Sequence, residues 1–87
     1  MKQIHIHYIN KIKDCDFRIF DAEDDENWRA VRSNERALDH WLDKAKIFDK
    51  DERQELLENC RWSNDDCVSV LEKLGWTILY GKENINK

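Results

Sequence analysis

Residues 63–80, SNDDCVSVLEKLGWTILY, constrain the fold more than any other stretch, because they spell a capped helix, its stop signal and a strand in direct succession. Ser63 is placed to accept from the amides of the first turn. Asp66 completes a capping-box-like pair, and Trp62 is positioned to staple onto Cys67 across the cap. Cys67, Val70, Leu71 and Leu74 recur at i, i+3, i+4 and i+7, which is one buried helical stripe. Gly75 supplies the left-handed residue that ends such a helix, with Trp76 folding back on Leu71. Trp76, Ile78 and Tyr80 then alternate with Thr77 and Leu79 as a strand. A helix leading into a strand points to an α+β scaffold.

Upstream, Ile4, Ile6 and Tyr8 alternate with Gln3, His5 and His7, so residues 2–9 read as a half-buried strand. Residues 10–14 read as a polar turn. Phe17 and Ile19 against Arg18 and Phe20 give a second strand, paired with the first as a hairpin. Residues 21–26, DAEDDE, are too self-repelling for a strand interior and read as a solvated loop. Residues 28–32, WRAVR, fit a third strand that leaves Ser33 as a helix cap, although Trp28 and Val31 also extend the helical stripe of Leu38, Trp41 and Leu42. A helix over 34–46 buries Ala37, Leu38, Trp41, Leu42 and Ala45, and Asp49 with Glu52 caps a second to about residue 60, with Leu56, Leu57 and Cys60 inward. The expected order is βββαααβ: an α+β fold in which a small antiparallel sheet is covered on one face by three short helices. With 87 residues there is room for one domain, 1–81, and a polar tail, 82–87.

Lys and Arg number 15 against 19 Asp and Glu, a formal charge of −4, so phosphate backbones and anionic membranes are poor electrostatic partners and a basic surface is a better one. The N-terminal run MKQIHIHYIN is too polar for a signal peptide, and no apolar run reaches the roughly 20 residues of a membrane span. Cys15, Cys60 and Cys67 are odd in number and lack a CxxC spacing, and read as three reduced thiols in a cytoplasm. Cys60 and Cys67 fall on helical stripes as inert filler, and Cys15 is the thiol expected to be exposed.

No nucleophile sits beside a base in sequence, and no glycine-rich phosphate loop is present, so no catalytic residue or cofactor is assigned and the chain is not expected to be an enzyme. His5 and His7, spaced H-x-H on a strand, would share a face and bind a metal only with ligands from elsewhere. This is the alternative in which the chain is a metal-binding or catalytic protein, and no metal is assigned. Two capped helices and a strand also outline a winged helix-turn-helix, but its recognition helix would open with Asn64, Asp65 and Asp66, which repel DNA. DDCVSVLEKLGW is similar over twelve residues to one helix and loop of ubiquitin-associated three-helix domains, though the residues after it read as a strand.

The class left is interaction. Asp21, Glu23, Asp24, Asp25 and Glu26 match a basic partner surface, and Trp28 with Arg29, Arg32 and Arg36 supplies the aromatic and guanidinium groups that dominate interface centres. The expected function is a small acidic binding protein, monomer or homodimer, that occludes a basic surface of a protein partner such as a nucleic-acid-handling complex. The alternative is a regulatory or structural subunit of a host complex. Small, acidic, proline-free intracellular chains of this kind resemble, in general character, phage-encoded inhibitors of bacterial defence such as anti-CRISPR proteins; the likeness carries no residue role.

Overall fold

The stretch that alternation splits into two strands and a turn is one long helix. In the computed structural model, which describes residues 2–60 and 63–81, the chain runs β1 (Gln3–His5), α1 (Ile6–Asp24), α2 (Trp28–Lys44), α3 (Lys50–Cys60), α4 (Asn64–Lys73) and β2 (Thr77–Leu79). Strand character ends at His5, whose Nδ1 accepts from the His7 amide as the cap of α1. From there Ile9, Ile12, Cys15, Ile19 and Ala22, spaced by three or four, form the buried stripe, with Asp16 buried among them. Residues 10–14 contain neither Gly nor Pro, so nothing interrupts the helix where a turn was expected. The antiparallel sheet of order βββαααβ is therefore replaced by four helices and a two-stranded parallel sheet.

The expected third strand, 28–32, is the start of α2. Asn27 caps it by accepting from the Ala30 amide, and Val31, Leu38 and Leu42 form its buried stripe. Ser33 lies inside the helix and caps nothing. The helix expected over 34–46 is the rest of α2, with Leu38, Leu42 and the following Ala45 buried and Ala37 and Trp41 half-buried. A link of three residues makes α1 and α2 antiparallel neighbours, and they pack together as a hairpin about 28 Å long at 1.5 Å per residue.

The remaining elements form much as their caps indicate. Asp49 Oδ1 accepts from the amides of Asp51 and Glu52 ahead of α3, and the Ser63 hydroxyl accepts from Asp65 ahead of α4. The stop after α4 is a Schellman motif: Trp76 N–H donates to Leu71 and Gly75 N–H to Glu72. The same pair of bonds ends α1, with Glu26 in the left-handed position at φ 54°, and α2, with Lys46 at φ 64°. The Trp62 staple and the tail 82–87 lie outside the described residues.

β2 returns to pair in parallel with β1 in the register Gln3 to Thr77, Ile4 to Ile78 and His5 to Leu79. This ties the two ends of the described chain together at the base of the hairpin, where α1 begins and α2 ends. The core runs from Ile4 through Ile9, Ile12 and Leu42 to Ile47, Leu56, Leu71 and Trp76. Cys60 and Cys67, each fully buried, form a disulfide that joins the end of α3 to the first turn of α4, so the expectation of three reduced thiols holds for Cys15 alone. Spacing along the sequence conceals the pair; in the fold their Cα atoms lie 4.7 Å apart, within the range a disulfide spans.

Candidate interaction surface

All nine residues expected to meet a partner are exposed, and they fall on one hairpin. Asp21, Glu23 and Asp24 occupy the last turn of α1, so the acidic run is helical through Asp24 and not a loop throughout. Asp25 and Glu26 make the turn, and Trp28 opens α2 with 55% of its surface exposed. Of residues 20–29 only Ala22 is buried. Arg29, Arg32 and Arg36, at i, i+3 and i+7, form a stripe along α2. Arg36 lies about 12 Å along the helix from Trp28, at 1.5 Å per residue, so the basic residues extend away from the acidic tip.

The tip is charged against its own helices. Asp21, Glu23 and Asp24 stand at the negative pole of α1, with no basic residue in that turn, and Arg29 stands in the first turn of α2, at its positive pole. Asp25 and Glu26, next to the start of α2, are better placed. Among the described residues none of the nine makes an ion pair within the molecule. The ion pairs found join Lys2 to Glu52, Arg18 to Asp14, and Arg53 to Asp39 and Asp43.

The residues of the alternative sites are placed apart or buried in the structure. His5 is buried as the α1 cap with its Nε2 2.9 Å from the Gly81 carbonyl oxygen, while His7 lies in the helix against Trp41 at 5.9 Å between ring centroids. The H-x-H pair therefore does not share a strand face, and the described residues hold no cluster of three or more His, Cys, Asp or Glu suited to a metal. His40 packs edge-on to Trp41, and Lys11 lies over that ring. Cys15, expected to be exposed, is buried; burial first, then the Asp14 carboxylate, pushes its thiol above the ordinary range and keeps it un-nucleophilic. The would-be recognition helix α4 has its first residue, Asn64, hydrogen-bonded to Asn10 of α1, and Asp65 and Asp66 remain exposed.

Sequence reasoning missed a pocket of about 360 Å³ at the opposite end of the molecule, lined by Lys2, Gln3, Lys46, Phe48, Asp49, Glu52 and Trp76. These residues come from three separate stretches of chain and carry no shared spacing. The one local signal is Phe48, an aromatic residue outside any apolar stripe, which is 66% exposed. No helix among the described residues is long and apolar enough to cross a membrane. Compared with models of protein families, with characterised proteins and with solved structures, the chain matches none.

Proposed function

We propose that the chain is a binding protein whose hairpin tip engages a basic surface of a protein partner and occludes it. The observation that supports this reading is the tip itself: five carboxylates and an exposed tryptophan on a helical projection, where they form no ion pair among the described residues and part of the charge opposes the α1 pole. Charged side chains that the fold does not tie into ion pairs are free to serve recognition. Asp21, Glu23, Asp24, Asp25 and Glu26 speed encounter with Lys and Arg through long-range attraction, and Trp28 supplies the contact that excludes water. Arg29, Arg32 and Arg36 form a second, basic strip that fixes orientation by meeting acidic groups beside the occluded surface. The partner class is a protein that handles nucleic acid, whose phosphate-binding surface the carboxylates occupy in place of phosphates. The setting is cytoplasmic, where burial shields the Cys60–Cys67 bond from attack by thiolates.

The test compares the native chain with Asp24→Asn, Asp25→Asn and Glu26→Gln combined, used as baits in the same lysate at low and at high salt. A partner held by the native chain at low salt, and released both by salt and by the triple substitution, supports the reading. A partner retained equally by both baits removes the tip from it, and the absence of any stoichiometric partner at low salt overturns it.

A further inference from the structure

The pocket at the base of the molecule has walls, an unmet donor and a lysine held at conformational cost. Trp76, 6% exposed, forms part of the wall, and its buried indole N–H has no acceptor among the described residues. A buried donor without an acceptor is costly and uncommon. Phe48 supplies a second, largely exposed aromatic wall. The two acids of the lining are already engaged. Glu52 pairs with Lys2, whose ammonium also lies 5.7 Å from the Trp76 ring centroid, and Asp49 Oδ1 takes the amides of Asp51 and Glu52 at 2.9 and 3.0 Å. Lys46 has no carboxylate partner among the described residues, and it occupies the left-handed stop position of α2, where glycine is favoured and a side chain is strained. Two of the lining residues, Trp76 and Lys46, thus bring donors with no acceptor among the described residues, one of them cationic, and Phe48 stands in the same lining.

We infer that this pocket binds a small organic carboxylate with an aromatic or apolar body. The carboxylate pairs with the Lys46 ammonium and, on a small movement of the wall that uncovers it, accepts from the Trp76 indole N–H, which the structure holds closed to solvent, while the body packs against Phe48 and the Trp76 ring. Both interactions need an acceptor, and an ionised carboxylate bonds an ammonium more strongly than a neutral carbonyl does, with Lys46 in no ion pair among the described residues. A volume of about 360 Å³ lies at the lower end of the range for ligand sites, which fits a single-ring acid.

The experiment is a titration of the full, oxidised chain, nitrogen-15 labelled and with its indole resonances assigned, against phenylacetate and indole-3-acetate, with phenylacetamide and benzylamine as controls. A saturable downfield movement of the Trp76 indole N–H with an acid, weakened about ten-fold or more when the amide replaces phenylacetate, is the expected result. Lys46→Gly should weaken acid binding to a similar degree while the chain keeps its fold, since glycine suits that backbone, and Phe48→Ala should weaken it through the lost wall. The inference is overturned if the Trp76 resonance does not move with either acid at millimolar concentration. It is equally overturned if amide or amine binds as well as the acid, or if Lys46→Gly binds as tightly as the native chain. None of these outcomes depends on the acidic tip.

Discussion

At the base of the hairpin, Arg53 reaches from α3 to bond the Ile47 carbonyl at 2.6 Å and Asp43 Oδ1 at 2.7 Å, Asn64 of α4 bonds Asn10 of α1, and β1 pairs with β2. At the tip, eight of the nine residues 21–29 are exposed, and the charged ones make no ion pair among the described residues. One pair of helices thus carries two kinds of surface: a base where polar groups link elements, and a tip where Asn27 caps α2 but the charged groups tie no elements together. Polar side chains that cross-link elements hold structure, whereas those that face only water are available to a partner. That contrast separates stability from recognition along a hairpin about 28 Å long, at 1.5 Å per residue, and each end is open to a different perturbation.

The strongest way to break the contrast is to cut the Cys60–Cys67 bond. A bridge separated by seven residues closes a small loop in the unfolded chain, worth about 2–3 kcal/mol in the loop-entropy account. Reduction by a dithiol should lower the urea midpoint accordingly. Amide exchange should accelerate in α3 and α4 and change little at residues 21–29. Equal acceleration at both ends would mean that the molecule opens as one unit and that the division between base and tip is only geometric.

Next in size is Arg53→Ala. The guanidinium is 23% exposed and satisfies a carbonyl just beyond the end of α2 as well as Asp43, so its loss should cost about 1–2 kcal/mol, with the Asp39 contact at 3.7 Å adding little. Arg53→Lys should recover only part, because one ammonium cannot reproduce the two-pronged contact. Full recovery by lysine in chemical denaturation would reduce the clamp to simple charge.

Legibility in the chain divides along the same line, between local and distant causes. The Asp49 and Ser63 caps, the stripe of α4 and the Gly75 stop each depend on residues within one or two turns, and all of them can be read directly. The region 2–24 cannot, because two periods overlap there. IHIHY alternates like a strand, while Ile9, Ile12, Cys15 and Ile19 repeat like a helix, and the isoleucines weight local propensity toward the former. Packing of that stripe against α2, a contact between distant residues, decides in favour of the helix. The nine residues proposed to meet a partner are legible by charge and, for Trp28, by aromatic character, but their placement on one hairpin required knowing that 28–32 is helical. The pocket beneath Phe48 was hidden for a related reason: Lys2, Lys46 and Trp76 meet only after the chain closes.

A finer comparison sets the two left-handed stops against each other. Glu26 at φ 54° ends α1 at the tip and Lys46 at φ 64° ends α2 at the base, both in positions where glycine avoids the Cβ clash. Glu26→Gly and Lys46→Gly should each raise stability by about 0.5–1 kcal/mol, the relief of strain being partly offset by the greater freedom of glycine in the unfolded chain. Glu26→Gly should slow partner association and leave acid binding at the base intact, and Lys46→Gly should do the reverse. A loss of both activities in either variant, measured alongside its thermal midpoint, would show that the ends are coupled.

The smallest expected effect on stability is the most telling for recognition. Neutralising Asp24, Asp25 and Glu26 together removes three charges that form no ion pair among the described residues, so the unfolding free energy should move by no more than about 0.5 kcal/mol. The sign should be favourable where Asp24 leaves the negative pole of α1 and unfavourable where Asp25 and Glu26 leave the start of α2, so the sum is close to zero. These terms are screened, and raising the salt concentration should shrink the difference between variant and native chain further. A loss well beyond that bound in denaturant titrations would mean that the carboxylates support the fold through contacts at the tip, and the argument that they are spare for a partner would fail with it.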